Sequence, residues 1–295
     1  MKVGFIGTGV MGNSLVKHLL EGGHEVSIFT RTAAKAENLL EAGAEWKESP
    51  KLLAMDVDVI FTMVGYPSDV EQIYFGEEGI IHNAKEGTVL IDLTTSKPEL
   101  AREIFKAALE RGLSSLDAPV SGGDVGAQSG LLSIMVGGEE ATYKKMQPLL
   151  DLFGGNIVHQ GPAGAGQHTK MCNQIIIASN MMGVSESLIY ALKAGLDPES
   201  VLLSISSGAA GSWSLSNLAP KMITRNFEPG FYIKHFIKDM RIAAEEAEQM
   251  GLELPALQLS LSLFESLAEK GYENKGTQAL IVQYEDNNFK EPKTF

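Results

Sequence analysis

The chain has 295 residues, a formal net charge of −13 and a single cysteine, Cys172. That length favours two domains over one core, the acidic balance without basic–aromatic runs argues against nucleic acid as a partner, and one cysteine permits neither an intrachain disulfide nor a cysteine-built zinc site. The start of the chain has no secretory h-region, no uninterrupted apolar run reaches the roughly 18 residues of a membrane span, and the scattered histidines lack ligand spacing, so the expectation is a cytoplasmic protein with no membrane partner and no metal.

In chain order, residues 2–6 read as a short buried strand closed by Gly7, and 11–21 as a helix stopped at Gly22-Gly23. A strand over 26–29 and a helix over 33–42 follow, then strands at 57–64 and 89–92, a helix over 98–111 and a strand at 115–117. The alternation repeats once more with a strand at 132–136 and a helix over 139–153. Strands alternating with helices of this length predict an α/β Rossmann-type doubly wound parallel sheet whose strand ends share one ligand-binding rim. Beyond residue 163 the strand signal stops. A helix over 166–194, roughly 40 Å long at 1.5 Å per residue, is apolar almost all round, as in the centre of a bundle. Helices over 198–206, 214–224, 235–250 and 255–269 complete an all-α helical domain. The predicted division is a dinucleotide-binding domain over 1–162 and a helical substrate and oligomerisation domain over 163–295.

Three segments carry chemistry. Gly7-Thr8-Gly9-Val10-Met11-Gly12 is a G-x-G-x-x-G turn that follows a strand and opens a helix, the setting that distinguishes a dinucleotide site from an ordinary glycine turn. Its glycines allow a tight turn, close approach of a pyrophosphate and close helix packing, while the helix N-terminus attracts phosphate charge. At the end of the second strand, Thr30-Arg31-Thr32 with Lys35 following offers no carboxylate for a ribose 2′-hydroxyl. Arg31 is suited to stack on adenine and pair with a 2′-phosphate, so NADP(H) is expected over NAD(H); the alternative leaves Arg31 and Lys35 as solvated surface charges.

The second segment, Asp117-Ala118-Pro119-Val120-Ser121-Gly122-Gly123, offers a hydroxyl and unshielded backbone N–H groups to an anion such as a substrate carboxylate, although by composition alone an ordinary Ser/Gly loop is the better reading. The third, Gly166 to Gln174, opens the long helix. There Lys170 shares a face with Asn173 or Gln174, and a lysine beside apolar surface and a cofactor is equipped to give and take a proton. Helix lysines in general are solvated, so Lys170 rests on its company rather than its type.

Taken in order, these segments resemble the β-hydroxyacid dehydrogenase family, over nearly the whole chain from Val3 to Tyr284. Phe5-Ile6-Gly7-Thr8-Gly9-Val10-Met11-Gly12 matches the family's opening signature, Asp117 to Gly123 its D-A-P-V-S-G-G loop, Gly166 and Lys170 its G-x-x-x-K pattern, and Lys238-Asp239 its later pair. The resemblance implies Lys170 as the acid/base residue, with Ser121, Gly122 and Gly123 holding the substrate carboxylate. It further implies Thr95 and Val64-Gly65 on the nicotinamide side of the cofactor, and Lys238 reaching it from the helical domain. Two departures stand out. Gln174 occupies the place of the family's frequent Asn, so either Asn173 or Gln174 serves the substrate, and Val64-Gly65 replaces the usual Leu-Pro. The implied partners are a small hydroxyacid or semialdehyde and further copies of the chain, as a homodimer or homotetramer.

Two rivals remain. A 6-phosphogluconate dehydrogenase-like oxidative decarboxylase usually carries His-Asn where this chain has Asn173-Gln174, and a cofactor-binding module without turnover would not need Lys170. Imine reductases share the fold but usually replace that lysine. Cys172 is expected to be a small buried hydrophobe; Trp213, Phe231 and Phe236 are expected to pack in the helical core, with lining of the substrate cleft as the alternative.

Overall fold

The computed structural model describes residues 1–289, the side chain of Lys35 excepted. The chain forms two compact units, Met1–Lys170 and the residues from Met171 onward. Nine strands make one sheet in the first unit: β1 (Lys2–Ile6), β2 (Glu25–Phe29), β3 (Glu45–Trp46), β4 (Val59–Thr62), β5 (Val89–Asp92), β6 (Ser114–Asp117), β7 (Val120–Ser121), β8 (Leu132–Gly138) and β9 (Gly154–Gly161). Their spatial order is β3-β2-β1-β4-β5-β6-β8-β7, with β9 paired to β8. β1 to β6 run parallel, which puts the ends of β1, β4, β5 and β6 on one rim.

The expectation of a wholly parallel sheet needs correction at β8, which is antiparallel to β6 and β7. The return from β7 to β8, residues 122–131, is shorter than the roughly dozen residues that a parallel crossover takes. The sequence reading also passed over β3, β7 and β9. β3 and β7 are two residues each, and β9 alternates half-buried with exposed positions and holds Gly154, Gly155 and Gly161, so none makes an apolar run.

Side chains alternate across the parallel strands, and helices cover both faces. Val3, Phe5, Val59, Phe61, Val89 and Ile91 share a core with Leu15, Val16 and Leu19 of the Val10–Glu21 helix. The intervening Ile6, Ile60 and Leu90 join Leu53, Tyr74 and Ile104 on the other face. The same alternation sends Thr62, Asp92 and Asp117 to that second face. They are register partners in turn across β4, β5 and β6, a polar row at the strand tips.

The long helix, Ala165–Lys193, begins in the first unit and continues into the second. By length and a mean hydropathy of 1.4 it could cross a membrane. In the fold it is a core helix: Ala178, Met181, Val184 and Leu188 pack with Ile233, Phe236 and Met240 of the Ile233–Gln249 helix and with Leu257 and Phe264 of Pro255–Leu267. Buried Gln174 and Ser185 also sit on it. Two expectations fail here. Cys172 is exposed, because Met171 and Gln174 take the inward side of that turn, and Trp213 is 61% exposed. Phe236 is fully buried and Phe231 packs against the same core.

Candidate active site

The glycine turn lies between the tip of β1 and the Val10–Glu21 helix, and its glycines differ in what a side chain would meet. Gly7 has φ +99°, and a Cβ there would run into the Met63 carbonyl. Gly12 has no room either: its Cβ would meet the Gly7 carbonyl oxygen and, at 3.0 Å, the Phe5 ring. Gly9 is the opposite case, since a Cβ would meet nothing within 4 Å. The bare backbone at Gly9 therefore faces open space. Gly9 also caps the helix without any side-chain bond, the first turn holds no acidic residue, and Thr8 Oγ1 is buried with no protein partner. An unshielded helix N-terminus with a donor hydroxyl beside it fits a pyrophosphate.

The Gly7 N–H donates to the Phe29 carbonyl at 2.9 Å, which sets the tip of β2 beside this turn. Thr30 and Thr32 flank Arg31 there. The Arg31 side chain is 82% exposed and its Nη1 lies 3.3 Å from Asp69 Oδ1, while Asp69 Oδ2 accepts from the Tyr66 N–H. Arg31 thus stands at the second-strand tip next to a carboxylate from the Pro67–Phe75 helix. Lys35, the fourth residue expected at this end, has its side chain outside the described residues.

After β4 and β5 the chain is organised by buried Asp92. Its Oδ1 accepts from Thr62 Oγ1 at 2.9 Å and from the Thr94 N–H at 3.0 Å, and Tyr74 Oη lies 3.0 Å from Thr62 Oγ1. Thr94 Oγ1 in turn accepts from the Val64 N–H at 3.1 Å, which ties the Val64-Gly65 loop to the turn bearing half-buried Thr95. Burial pushes the Asp92 carboxyl up to about 6 against the pull of these donors, and burial holds the Tyr74 phenol well above its ordinary range.

Asp117 does for β6 what Asp92 does for β5. Its Oδ1 accepts from the Gly164 N–H at 2.8 Å and its Oδ2 from the Gln167 N–H at 2.9 Å, so the carboxylate caps the first turn of the Ala165–Lys193 helix. Burial raises this carboxyl to about 6, with the backbone donors working the other way. Gly166 is required because a Cβ would strike the Met135 carbonyl and lie 2.6 Å from the Asp117 carbonyl oxygen. Gln167, fully buried, donates from Nε2 to the Thr94 carbonyl at 2.8 Å and accepts at Oε1 from the Ser96 N–H at 2.9 Å. Lys170 is three residues further along and only 6% exposed.

Ser121 ends β7, opposite Ser133 of β8, and Gly122 and Gly123 follow with φ of +135° and +63°. Two successive left-handed residues require glycine and turn the chain sharply after the serine. In the second unit, Asn173, Gln174 and Lys238 meet around buried Asp239. Gln174 Nε2 donates to Asp239 Oδ2 at 2.6 Å, Asn173 Nδ2 donates to Gln174 Oε1 at 2.7 Å, and Lys238 Nζ is 2.9 Å from Asp239 Oδ1.

Sequence reasoning quoted Asp117 and Asp239, and likewise Asp92, Thr94 and Gln167, inside segments without giving any of them a task. The signal for the first two was a carboxylate in an otherwise apolar or glycine-rich setting. Gln167 carried no signal of its own.

Residues 2–161 match the family described as the NAD binding domain of 6-phosphogluconate dehydrogenase, and residues 164–284 that described as NAD-binding of NADP-dependent 3-hydroxyisobutyrate dehydrogenase. The uncharacterized oxidoreductase YkwC of Bacillus subtilis strain 168 is 62% identical over 94% of this chain and 96% of its own. The 2-hydroxy-3-oxopropionate reductase of Escherichia coli strain K12 is 38% identical over 97% of each. Among solved structures, Mycobacterium tuberculosis 3-hydroxyisobutyrate dehydrogenase with L-serine superposes with a TM-score of 0.88 at 28% identity, covering 96% of this chain and 98% of that one. Fold and relatives together define an NAD(P)-dependent oxidoreductase acting on CH–OH groups. Within that class the chain belongs to the β-hydroxyacid dehydrogenase family.

Proposed function

We propose that this hydroxyacid dehydrogenase interconverts a short β-hydroxyacid and its semialdehyde, prefers NADP(H) to NAD(H), and uses Lys170 as the proton donor and acceptor. The observation that carries the reading is the placement of Lys170: a buried lysine whose helical turn is bonded, through Asp117 and Gln167, to the tips of the parallel strands where α/β folds bind ligands. Lysines are mostly exposed, so a buried one at this rim is a candidate for chemistry.

When bound, the nicotinamide supplies hydride transfer to and from the carbinol carbon. The remaining work falls on the chain. In oxidation, neutral Lys170 takes the hydroxyl proton; in reduction its ammonium form gives that proton to the carbonyl oxygen and offsets the charge developing there. Ser121, Gly122 and Gly123 hold the carboxylate, and Asn173 contacts the substrate while Gln174, with both ends of its amide engaged, braces Asp239. The glycine turn from Gly7 to Gly12 takes the pyrophosphate, Thr30, Arg31, Thr32 and Lys35 the adenosine end, and Val64, Gly65, Thr95 and Lys238 the nicotinamide end. The L-serine bound to the M. tuberculosis relative, itself a β-hydroxyacid, supports the substrate class.

The test is a panel of 3-hydroxyisobutyrate, tartronate semialdehyde, succinic semialdehyde and glyoxylate, assayed with both cofactors. Turnover of 3-hydroxyisobutyrate or tartronate semialdehyde, the two β-hydroxyacid couples of the panel, is expected, faster with NADP(H). No turnover of either, or release of carbon dioxide from 6-phosphogluconate, would overturn the reading.

A further inference from the structure

We propose that Gln167 is a positioning residue that sets the rotation of the helix carrying Lys170; the proposal rests on the reading of Lys170 as proton donor and acceptor. A helix N-terminus needs acceptors for its first N–H groups, and Asp117 already provides them. The Gln167 side chain is therefore not needed for capping. It makes a second, separate attachment, in which its amide bridges the Thr94 carbonyl and the Ser96 N–H, the two backbone groups that flank Thr95. The Asp117 bonds reach only backbone N–H groups at the helix end, whereas the Gln167 bridge is an attachment off the helix axis that holds the angle of this first turn.

The angle matters because Lys170 lies one turn beyond Gln167, on the same side of the helix. With side chains reaching about 6 Å from the axis, a turn of about ten degrees moves their tips by about 1 Å. A misplacement of that size at a reacting group costs about a hundredfold in rate. Gly166 supports the same arrangement, since any side chain there would push the first turn away from Met135 and Asp117. The Gln167 amide thus couples the backbone around Thr95 to the direction in which Lys170 points.

The experiment is a double-mutant cycle of Gln167→Met with Lys170→Ala, using whichever substrate of the panel turns over. In the native background Gln167→Met should lower kcat between about tenfold and a hundredfold while KM stays within about threefold. In the Lys170→Ala background the same substitution should change kcat less than about twofold, because the group it positions is gone. Hydrogen exchange in the cofactor-free protein gives an independent reading, with the Ser96 amide expected to exchange faster in Gln167→Met. Should that variant not fold, Gln167→Asn, which keeps the amide but is too short to bridge both groups, enters the same cycle. Equal losses in both backgrounds, or unchanged exchange at Ser96, would overturn the proposal alone. Native turnover in Lys170→Ala would overturn the reading of Lys170 and this proposal with it.

Discussion

Asp92 and Asp117 are register partners at the tips of β5 and β6, with both carboxylates buried on the same face of the sheet. Each is raised from an ordinary value of 3.8 to about 6, chiefly by burial, and the Asp117 charge adds to the effect on Asp92. The folded state therefore holds these protons more tightly than the unfolded chain does. The native protein should gain stability relative to Asp92→Asn as pH falls through about 6, with the gain levelling off below the unfolded-state value. Its full size is up to about 3 kcal/mol. Urea unfolding of both proteins between pH 4 and 8 measures it, and a difference independent of pH would contradict the assignment.

Gly7 and Gly9 should respond to alanine in opposite ways. Gly7→Ala forces a Cβ into the Met63 carbonyl at a left-handed φ, so the melting temperature should fall by several degrees. Gly9→Ala meets nothing in the protein and should melt as the native protein does, yet weaken NADPH binding by about tenfold or more, because the methyl occupies the approach to the helix N-terminus. Thermal melts and a fluorescence titration with NADPH separate the two effects.

Arg31 is shared between solvent and Asp69, so cofactor choice should depend on both. Arg31→Ala should raise the KM for NADP(H) by about tenfold or more and leave that for NAD(H) nearly unchanged. Asp69→Asn should act in the reverse direction, because it removes the carboxylate that competes with a 2′-phosphate for the guanidinium. Steady-state kinetics with both cofactors decide the matter; equal changes for the two would contradict this role for Arg31.

The fold was legible wherever a local rule sufficed. Short continuous apolar runs in β1, β4 and β5, buried on both faces, and the glycine turn after Ile6 announce a Rossmann-type unit. β9 was not legible, because an edge strand with three glycines and exposed positions has no periodic apolar signature. Of the proposed site, Lys170 and Ser121 were singled out by the family resemblance of their segments. Asp92 with Thr94, and Asp117 with Gln167, were not, since their bonds join segments far apart in the chain and depend on strand register. The burial of Cys172 was misjudged for a related reason: an apolar helix still has an outer side, and residue type does not reveal which side that is.

The most direct test of the account is a single turnover. Lys170→Ala, saturated with NADPH and mixed rapidly with the best aldehyde of the panel, should bind the cofactor within about threefold of the native affinity. It should oxidise that cofactor about a hundredfold more slowly or worse. A native rate of NADPH oxidation in that variant would contradict the assignment of proton transfer to Lys170.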